Sequence, residues 1–172
     1  MEWTGARYAD KPTVEVPIAI DAPPQRVWAL VSDIELMPGT SPELQAVEWL
    51  DGWTGPELGA RFAGHNRHEA RGEWSTTSVI VEYEPPRVFA WAVGEPGHPS
   101  SLWRFSLEPR DGGTLLRHWM QMGPGRSGLS LAIDQMPDKE QKIVFVRLRE
   151  LEANMGATLA AIKKAAEGAG PA

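Results

Sequence analysis

His118 is the titratable residue whose placement most invites chemistry. It lies in Thr114–Met122, where Leu116, His118, Met120 and Met122 alternate with Arg117 and Gln121. Alternation of period two sends the two sets to opposite faces of a strand, so His118 points with the apolar set. An imidazole titrates near neutral pH and suits acid–base work. Two roles fit it: a ligand-contacting or catalytic group, or a neutral core histidine bonded to a backbone carbonyl. Asn66 shares a face with Phe62 and Gly64, opposite Arg61 and Arg67. Its amide either orients a ligand carbonyl or hydroxyl, or bonds across to a neighbouring strand's backbone. In Gly72–Tyr83, alternation carried back from Val79 and Val81 turns Ser75 and Thr77 inward and Trp74 outward.

Other spacings invite chemistry and do not sustain it. Gly123-Pro-Gly125-Arg-Ser-Gly128 matches G-x-G-x-x-G between a strand and a helix. The dinucleotide fingerprint needs a βαβ unit, and no further strand follows the helix, so the segment reads as a glycine-rich loop at a cavity mouth. His65 and His68 are three apart on a strand and so fall on opposite faces, a poor metal pair. Gly125-Arg-Ser127-Gly128 is one residue short of a nucleophile elbow. The chain has no cysteine, which removes thiol nucleophiles and thiolate metal sites. No metal and no cofactor are expected.

The elements that position these residues follow from periodicity. Thr13–Ile20 sets Val14, Val16, Ile18 and Ile20 against Glu15, Pro17 and Ala19, a half-buried strand with Pro17 at an edge or bulge. Asp21-Ala-Pro-Pro24 reads as a helix start, with Asp21 or a neighbour as cap, and Val27, Trp28, Leu30 and Val31 form the short helix's buried stripe. Strands are expected at Leu44–Leu50, Arg61–His68, Gly72–Tyr83, Val88–Val93, Leu102–Glu108 and Thr114–Met122, with a hairpin turn at Asp111-Gly112-Gly113. Val144, Leu148, Leu151, Met155, Leu159 and Ile162 then fall at steps of four and three, one face of an α-helix. A helix from about Pro137 to Glu167, ended by Gly168–Pro171, would be ~45 Å long. The expected fold is therefore α+β: a curved antiparallel sheet of about seven strands wrapped around a long C-terminal helix, with short helices after the first strand.

One helix cannot fill the concave side of so large a twisted sheet, so the space is either filled by side chains or kept for a ligand. Phe89, Trp91, Trp103, Phe105, Met120 and Met155 are the expected apolar walls, with Asn66, Thr77 and His118 as polar groups among them. Inward polar groups need partners, which a ligand or trapped water would supply.

The segment from Ile18 through Asp21-Ala-Pro-Pro-Gln-Arg-Val-Trp28 to Asp33 resembles the opening of the polyketide cyclase/dehydrase-like family. So do Gly59–Asn66, Trp74, Val81–Pro86, Phe89-Ala-Trp91 and the helix with Leu148, Leu151 and Met155. That family sits in the SRPBCC, or START-like, superfamily. The resemblance runs from about residue 12 to residue 166 and implies the helix-grip fold as a single ligand-binding domain over 12–168. It implies a hydrophobic, aromatic or polyketide-like ligand held between sheet and helix, with cyclisation or dehydration by proton transfer as the activity if there is one. A lipid or quinone carrier, or a filled-core domain acting through a protein partner, are the alternatives. The resemblance also implies an inward Trp74, which a β-bulge between residues 75 and 78 would reconcile with the alternation.

Bulk properties agree with a small-molecule partner. The 172 residues are 42% hydrophobic and carry a formal net charge of −6, without the basic footprint nucleic acid requires. Eight Trp against four Phe and two Tyr supply large apolar area that suits both cores and ligand walls. Met1–Lys11 lacks the apolar core of a signal peptide, and no apolar run approaches the ~20 residues that span a bilayer, so a cytoplasmic protein is expected. The oligomeric state is not legible.

Overall fold

In a computed structural model, residues 1–168 are described. The order is β1 (Thr13–Ile20), α1 (Pro24–Val31), β2 (Leu44–Trp49), β3 (Arg61–His68), β4 (Gly72–Glu84), β5 (Val88–Val93), β6 (Ser101–Arg110), β7 (Gly113–Met122), α2 (Gly128–Gln135) and α3 (Glu140–Gly168). The seven strands form one antiparallel sheet ordered β1-β7-β6-β5-β4-β3-β2. Only β1 departs from nearest-neighbour order, and as an edge strand it tolerates Pro17, which has no N–H to give. Asp111 and Gly112 both adopt positive φ, 50° and 82°, the left-handed pair a two-residue hairpin requires between β6 and β7.

The helix ends carry detail that periodicity did not give. The residue capping α1 is Pro23, without a side-chain cap, while Asp21 donates its backbone N–H to Glu167 Oε1 at 2.8 Å. α3 begins at Glu140 after a 3-10 turn at Pro137–Lys139, and of its expected stop at Gly168–Pro171 only Gly168 lies within the described residues. The glycine-rich loop runs into α2, which Ser127 caps by accepting from Leu129 N.

Register aligns the inward side chains into rows across the sheet. Val16, His118, Phe105, Phe89 and Tyr83 form one row, and Val14, Met120, Trp103, Trp91 and Ile80 the next. α3 meets the sheet chiefly along β1, with a smaller contact on β7, and also packs on α1. Its apolar stripe therefore closes two cores. Leu159, Ile162 and Ala166 pack with α1 and the Phe89–Phe105 region, while Val144, Leu148, Leu151 and Met155 pack with Val14, Met120 and Met122. α1 reaches the β4–β5 end of the concave face through Trp28, which packs on Tyr83 and Phe89, and a cavity opens over the rest of that face.

Candidate functional site

The cavity has a volume of about 850 Å³ and lies between the concave sheet face and α3. Trp91 and Trp103 are direct cross-strand partners and stack with planes 7° apart and centroids 6.2 Å apart. Ser101 Oγ accepts the indole N–H of Trp103 at 2.9 Å and fixes its rotamer. Phe89, Phe105, Met120 and Met155 also border the cavity, and each is about 1% exposed. They serve core and wall at once.

His118 borders the cavity as part of this aromatic layer. Its ring stacks on Phe105, centroids 4.1 Å apart and planes 19° apart, with Trp103 and Trp91 at 5.5 and 6.3 Å. The residue is 5% exposed, and neither ring nitrogen has a hydrogen-bond partner. The expected alternative of a bond to a backbone carbonyl is therefore not realised. Burial, with no charge or hydrogen bond to oppose it, lowers its pKa from 6.5 to about 3. The imidazole is neutral at pH 7 and holds unused donor and acceptor capacity.

Asn66 borders the cavity beside Trp74, its partner across β3 and β4. Its amide reaches only Gly64 O of its own strand, at a long 3.4 Å, so no bond crosses to a neighbouring strand's backbone. Trp74 faces inward, but by a different register from the one expected. Phe62 pairs with Ser78, Gly64 with Thr76 and Asn66 with Trp74, so Trp74, Thr76, Ser78 and Ile80 share the concave face. The register break lies between Ile80 and Glu82, past the expected bulge at 75–78. The inward alternation expected of Thr77 is thereby corrected. Thr77 pairs with Ala63 and so falls on the outer-face side of the alternation, although the residue itself borders the cavity. Ile80, 1% exposed, is the inward residue that Val79 and Val81 were expected to be.

A charged cluster that the sequence did not disclose also borders the cavity. Arg147 on α3 donates from both terminal nitrogens to Glu43, at 2.5 and 2.8 Å, and from Nη1 to Glu150 at 3.1 Å. Arg71, beyond β3, donates to Glu150 at 2.8 Å. The side chains of Glu43 and Arg147 are only 10% and 12% exposed. Burial pushes the Glu43 carboxyl up, but its hydrogen bonds with Arg147 and the cationic charge beside it prevail and hold it below the usual carboxylate range. For Arg147, burial pulls the guanidinium down and the Glu43 and Glu150 carboxylates more than restore it. Arg71 is held lower, first by burial and then by the charge of Arg147, yet a guanidinium keeps its proton regardless. Glu43, His68 and Glu150 offer ligand atoms within 4.8 Å of one another, but Arg147 and Arg71 already occupy both carboxylates. His65 turns elsewhere, to Ser75 Oγ at 2.8 Å and Glu48 Oε1 at 3.2 Å. The signal for Arg147 was its place beside the apolar stripe of α3, in line with Asn154 and Thr158, which also border the cavity.

A seven-stranded curved antiparallel sheet gripping one long helix around a cavity defines the helix-grip class of START-like proteins. The chain belongs to the polyketide cyclase/dehydrase and lipid transport family, whose model matches residues 11–167. The solution NMR structure of a polyketide-cyclase-like protein from Corynebacterium glutamicum is similar at 34% identity and a TM-score of 0.63, covering 88% of this chain and 89% of that one. The di-domain ARO/CYC proteins StfQ, from the steffimycin pathway, and BexL, from the BE-7585A pathway, share the fold at TM-scores of 0.70 and 0.66. Their identities are 16% and 20%, and the match covers 91% of this chain but half of each of theirs. No curated protein sequence matches the chain. Among the described residues no helix is long and apolar enough to cross a membrane.

Proposed function

We propose that this chain, as one ligand-binding domain, binds a flat hydrophobic small molecule of aromatic or polyketide-like character between sheet and α3. The observation that carries the proposal is a cavity of about 850 Å³ walled by the stacked Trp91–Trp103 pair. That volume falls within the range of ~300–1,000 Å³ typical of small-molecule sites, and it argues against a filled core. Parallel indoles favour a flat ring system, which stacks on them by offset contact. Thr76, Ser78 and Asn66 supply hydroxyl and amide groups for ligand oxygens. The family's description includes lipid transport, and this supports a lipid or quinone carrier as the second reading.

Catalysis by His118 is supported less than binding. A ring held at about 3 is a weak base and is protonated in about one molecule in 10⁴ at pH 7. Its nitrogens are buried and unpartnered, with the Phe105 and Trp103 rings packed against the imidazole. Cyclisation or dehydration through His118 would need a ligand that reaches a ring nitrogen and lifts its pKa. Native mass spectrometry of the purified protein, followed by tryptophan-quenching titration with a hydroxyanthraquinone, tests the proposal. Saturable quenching, weakened at least tenfold in Trp91→Ala, is expected. Absence of saturable binding by hydroxyanthraquinone together with a co-purified acyl lipid would replace it with the carrier reading. If a bound polyketide turns over, a His118→Ala variant with unchanged turnover would remove His118 from the chemistry.

A further inference from the structure

The segment before β1 is tied down in an unusual manner. Trp3 packs edge-on against Phe145, with centroids 5.1 Å apart, although it is 55% exposed. Gly5 O accepts from Gln141 Nε2 at 2.7 Å, and Arg7 lies 3.8 Å from Glu140. These contacts lay residues 3–7 along the first turns of α3 as a strap. Tyr8 ends it. Its N–H donates to Glu140 Oε1 at 3.1 Å, and its phenol reaches across to the loop after β7.

That phenol sits where three segments meet. Its proton has its shortest acceptor in Gly125 O at 2.6 Å, while Ser127 Oγ lies at 3.2 Å and Ser100 O at 3.4 Å. The loop is shaped to receive it. Gly123 holds φ at +68°, and a Cβ there would lie 3.0 Å from the Tyr8 ring. Gly125 lies so close to the 98–99 backbone that a Cβ would meet His98 O at 2.3 Å. Its N–H donates to Pro99 O at 2.7 Å. Ser100, Arg126, Ser127, Leu129 and Leu131 all border the cavity, so these contacts join two segments of its rim. Leu131 borders it while 61% exposed, which places α2 at the opening. The family match begins at residue 11, so the strap precedes the shared fold.

We propose that Tyr8 is a positioning residue for the cavity rim, and that the strap carrying it holds residues 123–131 as the gate through which ligand enters and leaves. The gating half rests on the ligand-binding reading above; the positioning half does not. Amide hydrogen exchange on the full chain, wild type against Tyr8→Phe, tests the positioning half without any ligand. Tyr8→Phe keeps the ring on Gly123 and removes only the phenol's bonds. Exchange in 123–131 is expected to rise about tenfold, the scale of one or two net hydrogen bonds. Amides of β4 to β6 and the urea midpoint should move little. Unchanged exchange at 123–131, or a uniform rise across the sheet, would overturn it. Trp3→Ala, which loosens the strap without touching the rim, should act on the same amides in the same direction and more weakly.

Stopped-flow fluorescence with phenylnaphthylamine, a flat uncharged probe, tests the gate. Tyr8→Phe should raise association and dissociation rates together, several-fold, with the Kd moving less than about twofold. Faster exchange without faster probe kinetics would overturn the gate. Failure of the unaltered protein to bind the probe would count against the ligand reading, and the exchange result would still decide the role of Tyr8.

Discussion

Glu43 and Arg147 are buried as a pair, whereas His118, on the sheet wall of the same cavity, is buried alone. The pair spans a loop and a helix, keeps both charges, and joins each Glu43 carboxylate oxygen to a terminal nitrogen of Arg147, with Glu150 adding a third arm. His118 keeps no charge and makes no hydrogen bond. Removing a charge from water is far costlier than removing a neutral ring, so the first arrangement survives only through reciprocal bonds and the second only by remaining neutral. The pair therefore fastens α3 to the segment before β2 and leaves little for a ligand to satisfy. His118 fastens nothing, and its two nitrogens are what a ligand oxygen could still engage. Burial alone does not mark a polar residue as structural or functional; the state of its partners does.

Acid separates the two most strongly. The folded-state pKa of His118 is depressed from 6.5 to about 3, so the unfolded chain binds the extra proton first. Its contribution to stability is complete above pH 6.5 and declines as the pH falls toward 3. At about 1.4 kcal/mol per pH unit the full loss is roughly 4 to 5 kcal/mol, of which roughly 2 to 3 should appear before pH 4.5. Glu43 is also depressed, but from 4.5, so its contribution is complete above that pH and is lost only below it. Urea melts at pH 8, 6.5, 5.5 and 4.5 read the His118 window by itself. His118→Leu should flatten that window while changing stability at pH 8 by no more than about 1 kcal/mol, because an apolar group replaces one that made no bond. A wild-type slope that survives in His118→Leu would show that the histidine is not buried neutral.

Arg147→Met breaks the other half of the comparison. It leaves a carboxylate enclosed beside α3 with its principal partner gone, and a loss of roughly 3 kcal/mol is expected at pH 7. The lower end of the range for buried pairs applies, because both side chains keep about a tenth of their exposure. The double variant Glu43→Leu with Arg147→Met should recover most of the loss, and the cycle gives the coupling directly. A single-variant loss below about 1 kcal/mol would mean that the pair behaves as a surface bridge.

The legibility of these parts follows the range of the forces behind them. Arg61–His68 and Val88–Val93 have the bounds expected of them, because alternation is written within each strand. The α3 stripe was equally plain, since its apolar steps repeat over more than four turns. The stretch Ser75-Thr-Thr-Ser78 has no apolar contrast, so its parity had to be carried in from outside, and the register break beyond Ile80 made Val81 a misleading reference. That single break put Thr77 on the wrong face. Helix α2 was hidden by the glycines of the loop that leads into it, and its cap is a Ser127–Ser130 pair rather than the usual Ser with Glu. Glu43 and Arg147 lie 104 residues apart and meet only when the sheet curls, so no local pattern announces their pairing. Trp91 and Trp103 were each legible as inward, but their stacking depends on the β5–β6 register, which turn length sets.

The smallest expected effect tests that register. Thr76 pairs with Gly64 on the concave face, whereas Thr77 pairs with Ala63 on the outer one. Valine is close to threonine in shape and lacks the hydroxyl, so each substitution asks only whether the hydroxyl meets the ligand. Thr76→Val should weaken hydroxyanthraquinone binding about three- to tenfold, the worth of one net hydrogen bond. Thr77→Val should leave the Kd within about 1.5-fold, because an outer-face hydroxyl already has solvent as its partner. The reverse order of effects would place Thr77 inward, shift β4 by one residue against β3, and turn Trp74 away from the cavity with it, since a one-residue slip exchanges every side chain between faces.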